Sequence, residues 1–97
     1  MVKDTYNKDK WDKFWRLYKT RRGARAYAKK HFGVWVIIDM NPDLLSEKEK
    51  RMGLGTWLVG TMTEYLFYQG KGFENWEEDY QVVEIWEDGE VIKIFDE

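Results

Sequence analysis

No cysteine occurs among the 97 residues, which excludes disulfides, thiolate catalysis and cysteine-based zinc or iron–sulfur sites. The only histidine, His31, has no nucleophile or second metal ligand near it in sequence, so beside a helix end it reads as a capping or surface residue rather than a general base. Gly53-Leu54-Gly55 and Gly60 lack the spacing and the Lys-Ser or Lys-Thr of a phosphate loop. Glu77, Glu78 and Asp79 are adjacent, but adjacency alone supplies neither the converging oxygens of a cation site nor the separated carboxyls of a glycosidase. The expectation is a protein that is not an enzyme, with no catalytic residue, cofactor or metal. Long apolar runs are also absent. The best candidate for a membrane span is broken by Asp39, Asn41 and Pro42, and the N-terminus has no apolar signal-peptide core, so a cytoplasmic protein without membrane contact is expected.

What the chain does have is charge segregated by position. Residues 1–31 carry eleven Lys or Arg against three acids, and residues 61–97 carry eleven acids against two Lys, although the formal net charge is only -2. Such polarity implies electrostatic contact, within the chain or with a partner. Seventeen aromatic residues, six of them Trp, are enough for the core of one small domain spanning residues 1–97, with a basic N-terminal helical region and an acidic C-terminal hairpin region.

The spacing of Trp11, Phe14, Trp15 and Tyr18 predicts an amphipathic helix over residues 9–18. Beyond a bend near Gly23, Ala24, Tyr27 and Ala28 trace a second helical face that ends near His31. Val34-Trp35-Val36-Ile37-Ile38 has apolar residues on both parities, the pattern of a central strand. Ser46 and Glu49 form a capping box for a second helix, whose stripe runs through Met52, Leu58, Val59, Met62, Tyr65 and Leu66 to a stop at Gly70 and Gly72. A break at Gly53 to Gly55 is an alternative. Residues 73–79 read as a connection. Asp88-Gly89 is a tight-turn signal between residues 82–87 and 90–95. A two-residue turn places Val83, Ile85, Ile92 and Ile94 on a core face, and Val82, Glu84, Trp86, Val91, Lys93 and Phe95 on the other, with Glu84 opposite Lys93 and Trp86 opposite Val91. The expected fold is α+β: two main helices packed on a small, mainly antiparallel sheet with a C-terminal β-hairpin.

Two binding surfaces follow from these placements. Acidic Glu84, Glu87, Asp88 and Glu90, interrupted by Trp76, Tyr80 and Trp86, form a candidate platform for a basic protein, which makes a small regulator or inhibitor acting by surface occlusion the leading expectation. Arg21, Arg22, Arg25, Lys29 and Lys30, with Tyr27 as a stacking group, form the alternative, a nucleic-acid surface driven by counterion release. A homodimer that joins opposite charges and covers aromatic area is the third expectation.

Overall fold

The computed structural model describes residues 15–53 and 55–96. Its strands are β1 (Trp15–Tyr18), β2 (Val34–Met40), β3 (Trp57–Thr61), β4 (Tyr80–Glu87) and β5 (Glu90–Ile94). Its helices are α1 (Arg21–Lys30), α2 (Glu47–Arg51), α3 (Met62–Gln69) and α4 (Trp76–Asp79). The strands form one antiparallel sheet in the order β1-β3-β2-β4-β5, with the β4–β5 hairpin at one side. The α+β fold is therefore as the sequence implies, but helices cover both faces of the sheet.

The central apolar run explains this two-sided cover. Trp35 and Ile37 point to one face, where they meet Ala24 and Ala28 of α1 together with Val59 and Val83. Val36, Ile38 and Met40 point to the other, where they meet Leu58, Tyr65 of α3 and Trp76 of α4. A strand apolar on both parities can be buried only between two layers. Ala24 and Ala28, one turn apart and fully buried, present a low ridge that lets α1 lie close to the sheet. Thr20 starts α1 by accepting from the Gly23 amide through Oγ1 at 3.1 Å, and His31 caps its end.

Several expectations need correction. Residues 15–18 are strand rather than helix, paired with β3; residues 9–14 of the expected helix lie outside the described residues. Strand alternation is visible in the packing, because Leu17 joins the Trp76 side of the sheet and Tyr18 the α1 side. The break expected near Gly23 lies upstream, at residues 19–20, and Gly23 sits inside the first turn of α1, where a Cβ would approach the Tyr18 ring to 3.0 Å.

The long second helix is also divided. Its capping box forms as expected, with the Glu49 amide donating to Ser46 Oγ at 3.1 Å and the Ser46 amide donating to Glu49 Oε1 at 2.8 Å. The chain then leaves the helix after Arg51, through Gly53 at φ 76°. A Cβ at Gly55 would overlap the Tyr18 carbonyl oxygen and Lys19 Cα, so this position requires glycine for the close crossing at the end of β1. Trp57-Leu58-Val59 then alternates across the sheet, and the Thr61 hydroxyl starts α3 by accepting from the Glu64 amide at 3.1 Å. Pairing on both edges of β3 outweighs the helical spacing of its apolar residues. The stop after Gln69 stands.

The hairpin turn is as expected, with Asp88 at φ 51° and Gly89 at φ 85°, the two left-handed positions of a two-residue turn. Its faces are not. Ile37 pairs with Glu84 and Ile38 with Val82, so Val83 is an extra residue in β4. This bulge puts Val83 with Glu84 and Trp86 on the α1 side and returns Val82 and Ile85 to the opposite core. A second irregularity, at Ile92, sets Lys93 opposite Ile85 and Ile94 opposite Glu84, whereas Trp86 does pair with Val91. Among the described residues, no helix is long and apolar enough to cross a membrane.

Candidate functional site

The β4 bulge carries a carboxylate into the interior. Glu84 is fully buried beneath α1, and three side chains converge on it. Arg21 donates from Nε to Oε2 at 2.5 Å, Arg25 donates from Nε to the same oxygen at 2.7 Å, and Trp86 donates from Nε1 to Oε1 at 2.8 Å. The two arginines are one helical turn apart, so α1 presents both to a single point. Arg21 continues outward in a two-pronged contact with Asp96, from Nη1 at 2.7 Å and Nη2 at 2.8 Å, and its guanidinium lies 5.5 Å from the Trp57 ring centre. The basic and acidic ends of the sequence thus meet within one chain.

The electrostatics follow this geometry. Burial pushes the Glu84 carboxyl upward, but the donations from Arg25, Trp86 and Arg21 outweigh it and hold the group below the usual carboxylate range. Arg21 holds Asp96 low as well, and Asp96 in turn holds the Arg21 proton more firmly. A carboxylate held charged by two guanidiniums is a structural anion and a poor proton acceptor. No group of three or more acidic or histidine side chains is placed to share a metal ion among the described residues.

The expected protein-binding residues do not form one platform. Trp76 and Tyr80 lie on the α3 and α4 side, their rings 4.4 Å apart, with Tyr65 at 5.6 Å and Phe73 at 6.0 Å from Trp76. Trp76 is buried, and its indole N–H meets no acceptor among the described residues. It forms part of the wall of a cavity of about 340 Å³ with Gln69, Phe73, Asn75, Glu77 and Glu78. Burial pushes the Tyr80 hydroxyl pKa up, with Asp79 adding to the effect. Glu84 and Trp86 lie across the sheet beneath α1, and Glu87, Asp88 and Glu90 are exposed at the hairpin tip.

The expected nucleic-acid set is sorted in a similar way. Arg21 and Arg25 turn to Glu84, and Tyr27 packs on the protein, stacked on His31 at 4.0 Å and edge-on to Trp35 at 5.3 Å. Arg22, Lys29 and Lys30 remain on the exposed side of α1.

Two features escaped sequence reasoning. Phe32 is 86% exposed in the turn after α1, although leaving a phenylalanine in water forgoes about 2 kcal/mol of burial. The outer strand β5 exposes Val91, Ile92 and, just beyond it, Phe95. An aromatic between a helix end and a glycine was the available signal for Phe32; the edge position of β5 had none, because strand order is not written locally. No protein-family model, curated protein or solved structure matches the chain.

Proposed function

We propose that the protein is a non-catalytic protein-interaction module that takes an extended, basic segment of a partner along β5 and acts by occluding that segment. The observation that supports this reading is the outer edge of the sheet. Among the described residues β5 has a strand neighbour on one side only, and Val91, Ile92 and Phe95 are 43%, 58% and 48% exposed beside it. An edge strand offers unpaired N–H and C=O groups in register, and apolar side chains along it add contact area when a partner strand pairs. Glu87, Asp88 and Glu90 are exposed at the start of this edge, which favours a partner carrying Lys or Arg. Lys93, folded over the Phe95 ring at 5.1 Å, and the irregularity at Ile92 blunt indiscriminate pairing.

The test is a titration of isotope-labelled protein with a synthetic peptide of alternating Val and Lys. The expected result is slowed amide exchange confined to β5, with affinity falling about tenfold in Ile92→Lys, the equivalent of about 1.4 kcal/mol. Binding that leaves β5 exchange unchanged, or an unaltered affinity in that variant, removes the proposal. Sedimentation equilibrium without peptide separates the rival occupant: a mass that doubles with concentration, lost in Ile92→Lys, makes the edge a seam between two copies instead.

A further inference from the structure

We propose that the exposed face of α1 and the turn after it bind single-stranded nucleic acid, with one base stacked on Phe32 and the phosphates held by Arg22, Lys29 and Lys30. This surface does not use Val91, Ile92 or Phe95 and stands or falls separately.

Phe32 is displayed on a fixed support. Its carbonyl accepts from Trp35 Nε1 at 2.8 Å, the next amide, of Gly33, donates to Asp88 Oδ1 at 2.8 Å, and the Asp88 amide donates to the Gly33 carbonyl at 3.0 Å. Gly33 takes φ 97°, and the hairpin tip abuts the helix end so closely that a Cβ on Gly89 would come within 2.9 Å of the Lys29 carbonyl. The backbone around the ring is therefore tied to α1, β2 and the hairpin while the ring itself is 86% exposed. A backbone already fixed beneath an exposed apolar ring lowers the ordering cost of a stacking contact.

The charges beside it have been sorted by the fold. Glu84 and Asp96 neutralise Arg21 and Arg25, whereas Arg22, Lys29 and Lys30 make no ion pair with a carboxylate among the described residues. Arg22, Ala26, Lys29 and Lys30 fall at helical offsets zero, four, seven and eight, one exposed stripe spanning about 12 Å. A shallow cleft of about 140 Å³ between Lys29, Lys30, His31, Phe32 and Asp88 adjoins the ring. Asp88, with exposed Glu87 and Glu90, repels phosphate on the hairpin side, so the strand is directed back along α1 toward Arg22. Duplex bases are already stacked and offer no free face to Phe32, which selects a single strand. The contact is short, a few nucleotides, because the cationic stripe is short.

Fluorescence anisotropy with a labelled single-stranded dodecamer of thymidylate, the matching duplex and polyglutamate as competitor tests this. The expected result is single-strand binding at least tenfold tighter than duplex binding, with a log–log salt slope of about -2, as three neutralised phosphates require. Phe32→Ala weakens it about tenfold, Phe32→Leu loses most of the same effect, and the Lys29→Gln, Lys30→Gln pair cuts the slope to about -0.7. These residues are exposed, so thermal melting of the variants stays near that of the parent. No single-strand binding at low salt by the folded protein overturns the proposal. Equal binding of duplex, or displacement by polyglutamate, with Phe32→Ala unchanged overturns it too, since cations alone then explain the contact. Retained binding in Ile92→Lys shows that this site is independent of the β5 edge.

Discussion

The two faces of the sheet are held by different physics. On the α3 and α4 side, Val36, Ile38, Met40 and Leu58 pack against Tyr65 and Trp76, an apolar and aromatic core whose contribution depends on area and fit. On the α1 side, Trp35, Ile37, Val59 and Val83 pack against Ala24 and Ala28 and share the layer with a buried carboxylate that accepts from Arg21, Arg25 and Trp86. The first face tolerates exchange among side chains of similar volume. The second accepts little change in how α1 sits, because a shifted or rotated helix leaves a charge buried without its partners, and that costs several kcal/mol. The difference shows that a small domain can use area for stability on one side and directed charge for the seating of a helix on the other.

The largest effect is expected where area alone is removed. Ile38→Ala empties a fully buried position and lowers the unfolding free energy by about 3 kcal/mol, read from urea denaturation. A loss below about 1 kcal/mol, at the low end for a smaller core truncation such as Ile→Val, means that face is not closely packed.

Next comes Glu84→Gln, which removes the central charge of the α1 face. Arg21 and Arg25 are partly exposed and regain water, so the expected loss at pH 7 is about 2 kcal/mol, less than for a pair wholly shut away. The folded pKa of Glu84 lies below its unfolded value, so this stabilisation is present above the unfolded carboxylate range, near about pH 4.3, and is lost as pH falls through the folded value. The gap between parent and Glu84→Gln in urea midpoints therefore narrows from pH 7 to pH 3. A gap that widens on acidification contradicts the assignment of Glu84 as a charged anchor.

The smallest effect belongs to Asp96→Asn. The Asp96 carboxylate is exposed and screened, so its contact with Arg21 shifts the thermal midpoint less than Glu84→Gln does, and the shift fades in high salt. A salt-independent loss as large as that of Glu84→Gln would merge the two acids into one cooperative unit.

How much of this was legible depends on how local each signal is. The Asp88-Gly89 turn, the Ser46–Glu49 capping box, the core alanines of α1 and the doubly apolar β2 are each specified within a few residues, and each is found where expected. β3 was hidden because Leu58, Val59 and Met62 also satisfy a helical spacing, and only hydrogen bonding to strands on both sides settles the choice. The bulge at Val83 was hidden for a related reason: the extra residue exists only relative to the register with β2. That one residue moves Val83 to the other face and, with it, the hydrophobic environment around Glu84. For the candidate surfaces, the basic segment was legible as composition, but which of its cations remain available was not. Arg21 and Arg22 are neighbours with the same chemistry, and helix rotation alone sends one to Glu84 and leaves the other in water.

By itself, the sequence determined the class of fold, the opposite charges of its two ends, the turn chemistry and the absence of thiol chemistry, because each follows from composition or from neighbours along the chain. Tertiary structure alone decided that the charged ends meet inside one molecule, that Glu84 is buried while Phe32 is displayed, and that β5 is an outer strand among the described residues. Burial, pairing register and strand order are relations between residues up to 75 positions apart, as in the Arg21–Asp96 contact, and they acquire a value only when the whole sheet is assembled.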